Sequence, residues 1–410
     1  MDSTSVLLTR ANRVSVACKE ALLSLNSPRS RPRVLIFQVA LAPYRVDIYN
    51  SLADSCEVKL VFVRQNLLSQ KFDQNALRSR LRVPYEYLTR GFTLFRRTLR
   101  LGIAASIRQF RPDVVVTVEF SPVTLSAMVA RTLGSQRFAH VIWTDDNPMS
   151  ICRDNWIRRT LRPIILPHVQ GVVAVSSEAA DLYSTRFRAD CPVTSVPILQ
   201  EEGFFAEQLA SAKGLARSLE QEHGLAGTSK LLYVGRLAAE KRVDRLVRAF
   251  ALACREVPES RLVVVGEGPE RGNLEEIARS LGVADAVLFV GRQEGLALYA
   301  WYLLGDVLSL TSEFERFGAV VNEALLAGMP VICSQEAGAR GLIVPGVNGE
   351  VLDAADVNKL ARAIASWLRN SVRTEEPRMR VSLMPMDYQT AVENMVTLFQ
   401  RAIDYQERFK

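Results

Sequence analysis

Glu315 and Glu323 are the residues of this chain with the clearest chemical potential. They lie in Ser312-Glu313-Phe314-Glu315-Arg316-Phe317-Gly318-Ala319-Val320-Val321-Asn322-Glu323, and a Gly328-Met329-Pro330-Val331 turn follows. The segment Asp306-Val307-Leu308-Ser309-Leu310 ahead of them reads as a buried strand, and 318–327 reads as a helix closed by Gly328. One carboxylate is therefore expected in a strand-to-helix loop and the other inside the helix. The helix start between them would present unpaired N–H groups to a phosphate, while the carboxylates would take hydroxyls. In one continuous helix the two carboxylates would be about 12 Å apart and rotated by about 80°. That geometry is awkward for shared acid/base chemistry on a single bond.

Further candidates end other strand-like runs. Residues 231–234 lead into Gly235-Arg236-Leu237-Ala238-Ala239-Glu240-Lys241. A guanidinium and an ammonium bracketing a helix start can clamp a diphosphate without a metal. Alone, the same turn reads as surface Arg and Lys at a helix start; Glu315 and Glu323 at matching strand ends favour the clamp. Gly266-Glu267-Gly268-Pro269 lacks the third glycine of a dinucleotide fingerprint and is explained by a tight turn. Gly291-Arg292 offers backbone to a planar base. On the N-terminal side, Ala42-Pro43-Tyr44-Arg45 offers an aromatic face and a cation, or simply a helix start with a surface tyrosine. Glu119, Asp145 and Asp146 are candidate bases or hydroxyl binders, with a capping or structural role equally open for one of the Asp pair. The pair is not spaced as Asp-x-Asp and the three histidines are far apart, so no metal site is expected.

These residues need rigid elements behind them. Short β-rich runs at 34–37, 58–63, 114–118, 140–143 and 171–175 alternate with helix-like segments. A second series runs through 230–234, 261–265, 287–290, 307–310 and 331–333, separated by expected helices at 240–255, 270–281 and 295–304. Alternation of this kind specifies parallel sheets covered by helices, and 410 residues exceed one ordinary core. The expected division is an arm at 1–32, a first Rossmann-like domain at 33–200, a linker at 201–229, a second Rossmann-like domain at 230–384 and a C-terminal helix at 385–410 packing back on the first domain. Ligands of such folds sit beyond the carboxyl ends of the strands, where all the motifs above fall.

Composition narrows the setting. Six cysteines lie far apart with no Cys-x-x-Cys, which fits reduced thiols. No uncharged apolar run reaches the ~18 residues of a membrane span. Residues 1–33 lack a long apolar core followed by a small-residue cleavage site, so no secretory leader is expected. Residues 1–200 carry 27 Lys and Arg against 15 Asp and Glu, net +12; the remainder carries 24 against 29, net −5. A basic half of this kind fits a phosphorylated substrate, nucleic acid or an anionic membrane, or simply solvated helices. The cluster Arg90, Arg96, Arg97, Arg100 and Arg108, interleaved with Phe92, Leu94, Phe95, Leu99, Leu101 and Ile103, reads either as a membrane-surface segment or as a helix with one face in the core.

The C-terminal half resembles the retaining glycosyltransferases of family 4, which have the GT-B fold of two Rossmann-like domains facing across a cleft. The resemblance rests on the ordered set Gly235-Arg236…Lys241, Gly266-Glu267-Gly268-Pro269, Gly291, Asp306, Glu315-Arg316-Phe317-Gly318…Glu323-Ala324…Gly328-x-Pro-Val and Asn348-Gly349 over about residues 230–370. The N-terminal half shares only Ala42-Pro43-Tyr44-Arg45 and the strand pattern. The resemblance implies a hexosyltransferase using a UDP- or GDP-linked sugar, with no other cofactor. It places Arg236 and Lys241 on the diphosphate, Glu323 on the ribose, and Glu315 with the amides near Phe317-Gly318 on the sugar and diphosphate. Gly235, Gly266 and Arg292 would complete the donor site, and Pro43, Tyr44, Arg45, Glu119 and Asp146 the acceptor site. Glu315, Arg236, Lys241 and Asp145 would be the catalytic residues. Two departures stand out: Arg316 replaces a frequent proline, and Asp145 or Asp146 occupies a strand end where relatives carry a histidine. The expected acceptor is a glycan or lipid-linked molecule of envelope synthesis, reached from the cytoplasm or the inner face of the membrane, without specific nucleic-acid binding. The alternatives are a nucleotide-sugar epimerase of the same fold and a non-catalytic nucleotide-sugar-binding protein.

Overall fold

The computed structural model describes residues 31–66, 72–94, 97–153, 156–187, 189–371, 377 and 379–408. The expected arm thus lies outside the described residues except for its last two, and so do Phe95 and Arg96 of the basic cluster.

Among the described residues nine strands occupy the first half: β1 Arg33–Gln38, β2 Glu57–Phe62, β3 Tyr85–Tyr87, β4 Gly91–Leu94, β5 Arg97–Arg100, β6 Val114–Val118, β7 Ala139–Thr144, β8 Gly171–Ala174 and β9 Val193–Ser195. Six more follow: β10 Ser229–Val234, β11 Ser260–Val265, β12 Val287–Gly291, β13 Val307–Leu310, β14 Val331–Ser334 and β15 Gly349–Leu352. The first sheet has the order β3-β2-β1-β6-β7-β8-β9 and the second β12-β11-β10-β13-β14-β15, and their strand pairs are parallel. Both are doubly wound, and the chain direction across the sheet reverses between β1 and β6 and again between β10 and β13. At such a reversal the two following loops diverge to opposite faces and leave a crevice.

The strands are apolar on both faces because helices cover both. Val34 and Ile36 belong to one buried cluster while Leu35 and Phe37 belong to another. In the second sheet Leu232, Val263 and Leu308 face one cluster, and Leu231, Leu262, Val264 and Val307 the other. The largest cluster runs continuously from the first sheet to the second. It passes through Phe205, Leu209, Ala212 and Ala216 of the helix Glu202–Glu222, which packs on the helix Leu296–Leu304. The last helix, Tyr388–Arg408, lies against β7, β8 and β9, and Tyr388 donates from its hydroxyl to Ser51 Oγ at 3.1 Å.

The basic-apolar cluster near residue 90 is not one helix. β4 and β5 form an antiparallel hairpin, and a helix begins only at Ile103–Phe110. Gly102, at φ 105°, breaks the chain between them, a conformation that favours glycine. Ile103 and Ile107 of that helix are buried, which accounts for part of the apolar content.

Candidate active site

The loops after the two central strand pairs carry the principal candidates. Pro43, Tyr44 and Arg45 follow β1, and Glu119 follows β6; Gly235 to Lys241 follow β10, and Glu315 follows β13.

Lys241 ends a 3-10 turn, Ala239–Lys241, and its Nζ pairs with the carboxylate of Glu315, both side chains being only 15% and 16% exposed. The turn is braced from below. Arg242, at φ 50°, grips Asp244 with two bonds of 3.0 Å and reaches Glu313 at 3.2 Å, and Thr311 Oγ1 donates to Lys241 O at 3.1 Å. Arg236 is half-exposed and pairs with Glu240, four positions along, at 2.9 Å. Arg292 is likewise half-exposed and meets Glu294. Gly235, Gly266 and Gly291 are stitched together: Gly235 N donates to Val265 O at 3.0 Å and Gly266 N to Gly291 O at 2.8 Å. A Cβ at Gly266 would lie 1.8 Å from Gly235 O, so only glycine allows this contact of two backbones.

The helix Ala319–Leu326 starts at Gly318, φ 98°, with no side-chain cap. Val321 N donates to Gly318 O at 3.0 Å, which leaves the N–H groups of Ala319 and Val320 for a ligand, and the macrodipole favours negative charge there. Gly338 N donates to Glu315 O at 3.2 Å and Ala339 N to Phe317 O at 2.7 Å, binding the 315–318 loop to the turn Gly338–Leu342. Phe317 is 3% exposed, so its ring belongs to the core and only its backbone faces the site. Glu323 accepts from Tyr302 Oη and from Gln200 Nε2, the latter at 2.5 Å. Burial raises its carboxyl pKa, while the bonds from Tyr302 and Gln200 oppose the rise. Burial and Glu323 in turn push the Tyr302 phenol well up.

On the opposite side Arg45 is 5% exposed, pairs with Asp145 and lies over the Trp143 ring at 4.0 Å. Burial and then Asp145 raise the Tyr44 phenol pKa, and Glu315 of the other domain acts in the same direction. Glu119, at φ 55°, holds Arg158 at 2.8 Å and Arg316 of the other domain at 2.5 Å. Burial raises its carboxyl pKa against these two arginines.

Asp146 departs from the expected acceptor contact. It is 0% exposed, and Arg158 at 3.1 Å, Arg162 at 3.0 Å and the Tyr183 hydroxyl at 2.9 Å surround it. Its carboxylate is committed to the interior, so the structural alternative for one of the Asp pair applies to this residue. Asp145, with 28% of its side chain exposed, pairs instead with Arg45.

Sequence reasoning missed Asn147, Gln200, Tyr302 and Arg340. Asn147 Nδ2 donates to Glu315 O and Arg316 O at 2.7 and 2.9 Å. Gln200 N donates to Asn322 Oδ1 at 2.8 Å, and Arg340 Nη2 reaches Glu178 at 2.6 Å. The only advance signal was Asn147-Pro148 with Ser150, a helix-start pattern that says nothing about a distant partner.

Two family models match the chain. Residues 40–198 match the glycosyl transferase 4-like domain, and residues 217–382 match the glycosyl transferases group 1. An N-acetyl-alpha-D-glucosaminyl L-malate synthase of Bacillus anthracis is 33% identical over 153 residues, 37% of this chain and 39% of that protein. The matched region therefore spans well under half of that relative's length. A GDP-mannose-dependent alpha-(1-6)-phosphatidylinositol monomannoside mannosyltransferase of Mycolicibacterium smegmatis is 25% identical over 315 residues, 74% of this chain and 79% of that one. HepE of Anabaena, solved in complex with UDP, superposes with a TM-score of 0.66 at 17% identity over 92% of this chain and 98% of its own, which shows a shared fold. With its two doubly wound sheets and both family matches in order, the chain belongs to the group 1 glycosyltransferases of family 4 and has the GT-B fold.

Proposed function

We propose that the chain moves a sugar, with retention of anomeric configuration, from a UDP- or GDP-linked donor to a glycan or lipid-linked acceptor. The observation that carries this reading is that Lys241, Glu315 and the uncapped start of Ala319–Leu326 in one domain are held from the other by Asn147, whose loop also carries Asp145, and by Glu119. The relatives' names supply the choice of nucleotide: HepE was solved with UDP, and the mycobacterial relative uses GDP-mannose.

In this reading the bond from the sugar's anomeric carbon to the diphosphate oxygen breaks, and a bond to the acceptor oxygen forms on the same face. The acceptor's hydroxyl proton passes to the leaving phosphate. Lys241, Arg236 and the helix N–H groups neutralise the charge that develops on that phosphate, so the reading needs no metal. Glu315 addresses the sugar and shares Lys241 with the phosphate. Glu323 takes the ribose hydroxyls, and Gly235, Gly266 and Arg292 flank the nucleotide. Tyr44 and Asp145 orient the acceptor, with Arg45, itself buried, holding the Asp145 carboxylate, Pro43 opening the helix that carries Tyr44 and Arg45, and Glu119 at the rim.

An envelope acceptor at the inner face of the membrane fits the net charge of +12 in residues 1–200. Among the described residues, Phe92 and Leu101 around the hairpin and Trp156 are 59%, 69% and 74% exposed, and no helix is long and apolar enough to cross a membrane. A thermal-shift series with UDP, GDP and their sugars is the first test, followed by NMR of the anomeric proton in the product. A selective shift and a retained anomer are expected; folded protein that responds to no nucleoside diphosphate would overturn the reading.

A further inference from the structure

Three elements of the first domain hold the same two loops of the second. Glu119, after β6, holds Arg316; Asn147, after β7, holds the backbone of Glu315 and Arg316; and Glu178, after β8, holds Arg340. The two loops are themselves joined, since a Cβ at Gly338 would stand 2.1 Å from Arg316 O. The first and third contacts are ion pairs with exposed or half-exposed members, whereas Asn147 is 1% exposed.

The orientation of the Asn147 amide follows from its partners. Oδ1 accepts from Ser150 N at 2.7 Å, capping the helix Pro148–Cys152, and an N–H there leaves no other choice for the oxygen. Nδ2 must then face the two carbonyls, and its two hydrogens match Glu315 O at 2.7 Å and Arg316 O at 2.9 Å. One side chain therefore has two separable duties: its oxygen serves its own helix, and its nitrogen serves the opposite domain. The carbonyls it holds belong to the residue that pairs with Lys241 and to its neighbour, just before the helix start at Gly318.

We propose that Asn147 is a positioning residue for sugar transfer: by docking on Glu315 O and Arg316 O it sets the sugar-facing loop when the two domains meet. The proposal rests on the glycosyl-transfer reading of this cleft. Donor nucleotide binds to the second domain with or without this contact, whereas Glu315 and the helix start reach their working geometry only with it. Asn147 touches no substrate in this arrangement; it acts through the backbone of Glu315.

Serine and aspartate both keep a helix cap, which makes the two duties testable separately. Asn147→Ser loses the two donors, and Asn147→Asp places a carboxylate oxygen against two carbonyl oxygens. We expect kcat to fall about tenfold for Asn147→Ser and about a hundredfold for Asn147→Asp, with donor KM within about threefold of wild type. The affinity for UDP or GDP, whichever stabilises the wild type, should be unchanged by calorimetry. Small-angle scattering should show a larger radius of gyration for Asn147→Asp than for wild type. If Asn147→Ser and Asn147→Asp both match wild type in kcat while Asn147→Ala falls, the residue is a helix cap only and the proposal is overturned. If wild type turns over no sugar nucleotide, the functional reading fails, and scattering alone decides: equal radii for wild type and Asn147→Asp overturn the docking role.

Discussion

Lys241 and Glu315, 74 positions apart in the chain, are ion-paired across the loops that follow β10 and β13. The two strands are neighbours in the sheet and mark the point where its winding reverses. The pair therefore lies where an open α/β sheet forms its ligand crevice. A mostly buried carboxylate beside the ammonium holds Lys241 in place before any phosphate arrives.

Lys241→Ala should lower kcat/KM for transfer by the equivalent of about 2–4 kcal/mol, the usual loss on removing one preorganised donor. Arg236→Ala should cost less, because Arg236 is half-exposed and already shared with Glu240. Steady-state kinetics with the donor found by thermal shift would rank the two; equal losses would contradict the ordering.

Glu323→Ala should weaken nucleoside-diphosphate binding by about 1.5–3 kcal/mol, the range for a hydrogen bond to a charged group. The pH dependence has a definite sign. Burial raises the folded-state pKa of Glu323, so the ribose-binding carboxylate form is lost on acidification at a higher pH than for an exposed glutamate. Nucleotide affinity should fall with pH through that window. The group's effect on stability runs the other way, decreasing as pH rises through the same window, because the folded state holds the proton more tightly. Calorimetry of wild type and Glu323→Gln over the acidic range checks both: the substituted protein should bind more weakly and lose this pH dependence.

Asp146→Asn should cost about 3–5 kcal/mol of stability at neutral pH, as for breaking a buried pair and leaving the other charge uncompensated. Burial works against ionisation of Asp146, but Arg158, Arg162 and the bond from Tyr183 outweigh it and hold the pKa below the ordinary value. The stability this gives is present above the unfolded-state pKa and lost as pH falls through the folded one. Urea titrations should show the gap between wild type and the variant closing towards acid. A gap that stays constant with pH would show that Asp146 does not carry it.

Gly338→Ala should destabilise by about 1–3 kcal/mol and weaken donor binding, because the new Cβ would press on Arg316 O and push the 315–318 loop. Gly341→Ala is the control, since a Cβ there meets nothing within 4 Å. Melting temperature and nucleotide affinity measured on both would separate a local clash from a general intolerance of the turn.

The two-domain α/β plan was legible in the chain, and for a local reason. Strands buried on both faces write themselves as runs such as Val114-Val115-Val116, and three neighbours of the second sheet end at glycines, Gly235, Gly266 and Gly291, of which Gly266 is required by backbone contact. The helix from 319 to 326 was equally readable, with Gly318 before it and Gly328, at φ 69°, after it. Neither reading of the basic-apolar cluster included the β4–β5 hairpin, because arginines among apolar residues at irregular spacing carry no clear period.

By itself, then, the sequence determined which residues stand at strand ends or on the helices that follow them, and which of them have chemistry to offer: Arg236, Lys241, Glu315 and Glu323 on one side, Tyr44, Arg45 and the Asp145-Asp146 pair on the other. Local periodicity and turn chemistry suffice for that. The tertiary structure alone decided their partners. Asp146 turned inward to two arginines while its neighbour Asp145 reached Arg45, a difference that no property of the Asp-Asp pair encodes. Gln200 reached Glu323 across 123 positions and Asn147 reached Glu315 across 168, because the packing of two separate sheets brings those loops together and nothing in either segment names the other.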